Sequence, residues 1–415
     1  MRISKALVSR GLGGFYFDDY AAVKAGARQD GFMYPGRPMT EGHSRIRQAG
    51  ETMSIMLILE DGTVAFGDAV AIQYMGVVGR DPILLADRYI PVIKQHVLPW
   101  LEGRELTRFR QMSEEFDALE VNGRPLHTGI RYGVSQAFVD ALAKTQRRTM
   151  AEVVADEYGT EISKQPIPVL AQSGDDRYTG ADKMILKKVD AIPQGLFNHV
   201  SKVGHQGEVL LDYVQWLKKR VETYGEPGYE PTFHLDVYGV VGAIFGDRAE
   251  DIAAYLVQLE EVARPFPVRI EDPIVADSHG RQIELTRALK VALAARGSSV
   301  EISLDEWCNT VEDTERAVDA GAAHMIQIKT PSLGSLHNSI EAVLYCKRHG
   351  VKAFLGGTCN GTDQSTRATV HVALATQADL IYNKPGMGVD EGYMIVYNEM
   401  QRTLTLLEHG RGPSA

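Results

Sequence analysis

Apolar and polar positions along this chain alternate in two different periods. In 54–59 (SIMLIL) and 63–70 (TVAFGDAV) the spacing is strand-like, and the two runs flank the turn Glu60-Asp61-Gly62, which predicts a β-hairpin. Further on, Val134, Ala137, Phe138, Ala141 and Leu142 fall at i, i+3, i+4, i+7 and i+8, one apolar helical face suited to packing on a sheet. Residues 1–160 therefore read as an α+β module. The pattern breaks into prolines and polar residues at 159–168 (GTEISKQPIP), where a linker is expected.

Beyond it, eight short β-rich runs alternate with helical stretches: 168–172, 183–187, 232–237, 267–271, 300–305, 324–329, 351–356 and 379–384. Intervening segments such as 249–262 and 336–348 carry helical spacing of apolar residues. Strand and helix alternating over 161–415 predict a parallel (β/α)8 barrel with right-handed crossovers; an open, doubly wound sheet is the alternative.

Composition narrows the function classes. With 44% hydrophobic and 24% charged residues, the 415-residue chain has ordinary globular composition, which excludes a disordered or fibrous protein. A net charge of -10 repels nucleic-acid phosphates and anionic membrane surfaces, so neither is expected as a partner. The three cysteines, Cys308, Cys346 and Cys359, show no CxxC spacing, so no disulfide framework or cysteine zinc site is expected, and a cytoplasmic, reducing compartment is. The start, MRISKALVSRGLGGFYFDD, has no apolar stretch of signal-peptide length, and no targeting or anchoring segment is expected.

In such a barrel, catalytic groups occupy the C-terminal ends of strands. Three ends are acidic: Asp236, Glu271 and Asp305 close the third, fourth and fifth runs, 35 and 34 residues apart. Neighbouring parallel strands lie about 4.8 Å apart, so these carboxylates can converge on one hard cation, with Mg²⁺ the natural choice. The sixth run ends in Lys329 after Gln327, and residues two apart share a strand face, so both should point inward. A structural salt bridge between Lys329 and one carboxylate is the plainer alternative.

Other features carry weaker signals. The segment 356–362 (GGTCNGT) looks like a phosphate loop but has Thr362 where a nucleotide-binding loop needs lysine; its amides, with Thr358 and Cys359, can cradle a carboxylate. The tract 172–178 offers Gln172 as an amide for a polar substrate. His234 reads as a packed strand residue, and GLGG at 11–14 precedes no helix signal.

On its motifs, the chain resembles the 3-methylaspartate ammonia-lyase family of the enolase superfamily over essentially its full length. They are FYFDD near residue 16, DGF at 30, AQSGDDRY at 171, HLDVYG at 234, DEWCNT at 305, QIKTP at 327, GGTCN at 356 and KPGMGVDEG at 384. The resemblance implies an α+β capping domain on a modified (β/α)8 barrel, a homodimer, and Mg²⁺-dependent elimination of ammonia from (2S,3S)-3-methylaspartate to give mesaconate. It assigns the metal ligands to Asp236, Glu271 and Asp305, the base that takes the C3 proton to Lys329, and substrate contacts to Gln172, Gln327, Thr358 and Cys359. K⁺ as an activator is expected through the resemblance alone. The rivals are a dehydratase or racemase with the same metal and lysine, and a non-catalytic barrel.

Departures from the family pattern are informative. Gln194, in AIPQGL, stands where the family has a histidine regarded as the acid/base opposite the lysine; glutamine cannot titrate but can still hydrogen-bond a carboxylate. Lys187, ending the second run, is a weaker substitute for that role. Gly361, Leu170 and Tyr382 replace the family's acidic residue, Phe and Leu, which predicts a reshaped pocket. A desolvated Lys329 beside a cation should have a depressed pKa, and an alkaline rate optimum follows.

Overall fold

The computed structural model describes residues 1–76 and 79–410. Three antiparallel strands, β1 (Ile3–Asp18), β2 (Arg47–Leu59) and β3 (Val64–Ala69), form the first sheet, with the expected 60–62 turn joining β2 to β3. The buried helix Thr128–Thr145 lies against this sheet: Asp140 accepts from the Phe66 N–H, and the Gln136 amide donates to Asp68 O. A small ribbon, β4 (Glu120–Val121) with β5 (Arg124–Pro125), precedes that helix. The helix Met150–Tyr158 starts at a capping box between Thr149 and Glu152 and stops at Gly159, whose φ of +65° ends helical hydrogen bonding.

After an extended stretch, eight parallel strands close in sequence order into one barrel: β6 (Val169–Leu170), β7 (Ala191–Ile192), β8 (Thr232–Asp236), β9 (Val268–Glu271), β10 (Glu301–Leu304), β11 (Met325–Ile328), β12 (Lys352–Leu355) and β13 (Leu380–Tyr382). Helices between successive strands form the outer ring, so the open-sheet alternative is excluded. Leu170, Ala191, Met325, Phe354, Leu380 and Tyr382 form a separate buried cluster. Among the described residues, no helix is long and apolar enough to cross a membrane.

Seven of the eight expected runs become strands; 183–187 does not. It closes the helix Arg177–Leu186, whose buried residues Gly180, Ala181, Met184 and Ile185 trace one helical face, and the second strand is the two-residue β7 instead. Lys187 therefore caps a helix, where it bonds Val389 O and pairs with Asp390; it does not end a strand.

The first sheet docks on the mouth of the barrel through the glycines of the 11–14 segment, to which the sequence alone assigns no role. The β1–β2 register shifts between Leu12 and Tyr16, and there the Gly14 N–H donates to Gly361 O at 2.9 Å. A Cβ on Gly14 would stand 2.4 Å from Pro385 Cβ and 2.7 Å from Gly386 N. Gly14→Val is therefore expected to force the sheet off the 356–362 loop and destabilise the chain by about 1–3 kcal/mol. Thermal unfolding measures this, and an unchanged midpoint would contradict the docking.

Candidate active site

The C-terminal ends of β8 to β11 supply the acidic and basic groups. Asp236 and Glu271 are the last residues of β8 and β9, while Asp305 and Lys329 directly follow β10 and β11. Gln327 lies on β11, Gln172 and Gln194 follow β6 and β7, and Thr358 and Cys359 follow β12. All of these except Glu271 line one cavity of about 60 Å³; Glu271 lies fully buried beside it. The first sheet's side of the molecule closes the cavity with Gln73, Tyr74 and Arg80.

One hydrogen-bond network joins these groups. Gln194 Nε2 donates to Asp236 Oδ2 and to Glu271 Oε2, each at 3.2 Å, and Gln327 Nε2 donates to Glu271 Oε1 at 2.6 Å. His234 Nε2 completes the shell of Glu271 at 2.7 Å, so this histidine is a packed strand residue that also bonds the site. Lys329 Nζ meets Asp305 Oδ2 at 2.6 Å. Gln73 gives its amide N–H to Asp18, itself held by both arms of Arg47, and its Oε1 accepts from Cys359 Sγ.

Two further carboxylates stand at the same mouth, each the sequence neighbour of an expected ligand. Asp272 follows Glu271 with a φ of +44°, which turns the chain out of the strand, and its oxygens accept the N–H groups of Asp305 and Glu306. Glu306 pairs with Arg80. Among the described residues, the three carboxylates whose oxygens lie within 4.8 Å of one another are Asp272, Asp305 and Glu306, a set that shares only Asp305 with the sequence expectation. The acid doublets Glu271-Asp272 and Asp305-Glu306 were the signal for them. Gln73, Tyr74 and Arg80 left none, because they belong to the other module.

The electrostatics call for a cation. Burial pushes Asp236 and Asp272 well above the usual carboxylate range, and neighbouring carboxylates add to this. Burial likewise raises Glu271 and Asp305 to about 7, against the pull of Lys329. Lys329 itself departs from the sequence expectation: burial, the largest influence, pulls its pKa down, but the Asp305 and Glu306 carboxylates with the Asp305 hydrogen bond together more than offset burial and Arg80 and raise it. Asp305 Oδ1 and the Oε1 atoms of Gln172, Gln194 and Gln327 are buried without a hydrogen-bond partner. Five buried carboxylates facing Lys329 and Arg80, with an orphaned oxygen on Asp305, fit a hard divalent ion. Glu306 is already neutralised by Arg80, and Asp272 is committed to two backbone amides. Asp236 and Glu271 instead hold neutral donors, and Asp305 only the exchangeable amine.

Of the departures, Tyr382 lines the cavity, Leu170 is fully buried in the six-residue cluster, and Gly361 lies over Lys384, whose Cδ would be 3.5 Å from an added Cβ. Cys359 has its thiol pushed up to about 12 by burial, which suits a hydrogen-bonding contact and not a nucleophile.

Residues 161–409 match the family described as methylaspartate ammonia-lyase C-terminus, and residues 1–159 match its N-terminus. The chain is 52% identical over 412 residues to methylaspartate ammonia-lyase 1 of Carboxydothermus hydrogenoformans, covering 99% of this chain and 98% of that one. It is 50% identical over 409 residues to methylaspartate ammonia-lyase of Clostridium tetanomorphum, covering 98% and 99%. Among solved structures it is similar to the Mg complex of β-methylaspartase from Clostridium tetanomorphum, with a TM-score of 0.95 and 49% identity over 99% of this chain and 100% of that one. The Citrobacter amalonaticus enzyme containing (2S,3S)-3-methylaspartic acid gives a TM-score of 0.97 and 48% identity over 98% and 100%. A muconate lactonizing enzyme from Pseudomonas fluorescens, 17% identical with a TM-score of 0.62 over 91% and 87%, shares the fold.

Proposed function

The chain belongs to the methylaspartate ammonia-lyase family, and from that premise we propose how its own side chains eliminate ammonia from (2S,3S)-3-methylaspartate to give mesaconate. Lys329, unprotonated, takes the proton from C3. The electron pair of that C–H bond becomes the C2=C3 double bond, and the C2–N bond breaks with its pair on nitrogen, so a protonated amino group leaves as ammonia. Gln172, Thr358 and Cys359 hold the α-carboxylate and amino group. Gln327 keeps a second amide hydrogen, beyond the one given to Glu271, for the β-carboxylate where charge builds, and Gln194, whose two amide hydrogens go to Asp236 and Glu271, reaches that carboxylate by releasing one of them. Mg²⁺, when bound by Asp236, Glu271 and Asp305, supplies positive charge beside that carboxylate. Residues 1–160 act as the cap and 161–415 as the catalytic barrel, with 411–415 outside the described residues; a homodimer is proposed through the resemblance.

The observation that carries this reading is the order of groups around the mouth: carboxylates from β8, β9 and β10, then the amine from β11. Incubating the protein with (2S,3S)-3-methylaspartate and Mg²⁺ should release ammonia together with rising ultraviolet absorbance from an unsaturated diacid. Absorbance without ammonia, or epimerised substrate alone, would point to a dehydratase or racemase.

The same carboxylates make stability depend on metal and pH. Glu271 and Asp305 hold protons up to about 7 in the folded chain, whereas unfolded carboxyls titrate near 4. Between those values the folded state binds more protons, so the metal-free protein loses stability as pH rises through that window. Mg²⁺ should therefore raise the unfolding midpoint by several degrees at pH 8 and by much less at pH 5, with about 2.7 kcal/mol available at a hundredfold excess over Kd. Equal increments at both values would remove these carboxylates from the metal site.

A further inference from the structure

The small reactive cavity adjoins two larger ones of opposite charge, sharing lining residues with each. Through Gln73, Tyr74 and Tyr238 it borders a cavity of about 590 Å³; past Ile72 and Arg80 it borders one of about 580 Å³. Lys24, Arg28, Arg47 and Lys202 line the first cavity, against Asp18 and Asp175. Arg47 pairs with Asp18 at 2.7 Å and Lys202 with Asp175 at 2.6 Å, which leaves the exposed Lys24 and Arg28 without a salt bridge among the described residues, Lys24 feeling the Glu306 carboxylate only at longer range. Lys24 Nζ stands 4.5 Å over the Tyr20 ring, and Arg28 has no ion-pair partner among the described residues. The second cavity carries three arginines against six carboxylates, and Arg80 with Glu306 closes its inner end.

We propose that the diacid reaches the reactive cavity from the basic side, with Lys24 and Arg28 drawing it to the boundary that Gln73, Tyr74 and Tyr238 form between the two cavities. This rests on the lyase reading above, which makes the substrate an amino-diacid. In a chain of net charge -10, most of the surface repels such an anion, so a local excess of positive charge at one of two approaches decides which is used. The acidic approach disfavours the diacid by the same physics.

Two charge-reversed doubles decide between the approaches: Lys24→Glu with Arg28→Glu on the basic side, and Glu312→Lys with Glu315→Lys on the acidic side. At low ionic strength and fixed Mg²⁺, the first should lower kcat/KM about tenfold through KM, with kcat unchanged. It should also flatten the decline of kcat/KM with added tetramethylammonium chloride. The second should leave kcat/KM within about twofold. The neutral double Lys24→Ala with Arg28→Ala should fall between the wild type and the first, which covers the case of a reversal that fails to fold. Calorimetric binding of mesaconate to the Mg²⁺-loaded protein carries the same comparison without turnover. A wild-type protein that releases no ammonia would therefore overturn the lyase reading, whereas binding and KM indifferent to Lys24 and Arg28 would overturn the basic approach. A larger change from the Glu312 and Glu315 reversal would overturn it too.

Discussion

Lys329→Met is expected to lower kcat for (2S,3S)-3-methylaspartate by about 10²–10⁴-fold while leaving the fold intact. Methionine keeps much of the aliphatic stem and removes only the amine that meets Asp305 at 2.6 Å. Without it no other lysine lines the reactive cavity, among the described residues, to receive the C3 proton. The loss should fall on kcat, with Mg²⁺ still raising the unfolding midpoint, because Asp236, Glu271 and Asp305 remain. In the wild type, exchange of the C3 hydrogen with solvent deuterium should depend on Lys329. A variant retaining a tenth of the activity would reduce the Lys329–Asp305 pair to a structural salt bridge. Since the neighbouring carboxylates raise the pKa of the amine, kcat/KM should climb towards alkaline pH, and an optimum below neutrality would count against Lys329 as base.

The second large effect concerns the opposite face of the substrate. In the closed barrel β7 and β11 lie four strands apart, so Gln194 after β7 and Lys329 after β11 line the cavity from opposite sides of the mouth, and on the proposed reading they flank the reacting carbon. The Gln194 amide bridges Asp236 and Glu271 but cannot carry a proton. The wild type should therefore strongly prefer the (2S,3S) isomer and epimerise little. Gln194→His places a titratable ring at that position and should narrow the preference over the (2S,3R) isomer by at least about tenfold. Comparable wild-type turnover of both isomers would contradict the one-base account. Lys187 cannot stand in, because it is tied to Val389 and Asp390 outside the cavity.

What was legible beforehand follows from where each signal lives. Strand-end residues recur once per βα unit, so Asp236, Glu271, Asp305 and Lys329 stand out at regular spacing, and the (β/α)8 barrel came with them. The second strand was missed because Ala191–Ile192 is too short to show a period, while the five residues 183–187 are too few to distinguish a helical face from a strand. Asp272 and Glu306 were hidden by strand alternation, which assigns neighbours to opposite faces; the positive φ of Asp272 cancels that rule at the strand end. Gln73, Tyr74 and Arg80 reach the site only because the first sheet docks on the 356–362 loop through Gly14. The raised pKa of Lys329 depends on a contact with Asp305, 24 residues away, that spacing alone does not give.

The most direct measurement is a crystal structure of the protein grown with Mn²⁺ and mesaconate, with the metal located by its anomalous scattering. The account predicts one peak within coordination distance of Asp236, Glu271 and Asp305, with the Lys329 amine facing C3 of the diacid. A peak held by Asp272, Asp305 and Glu306, with Lys329 turned away from the ligand, would contradict it.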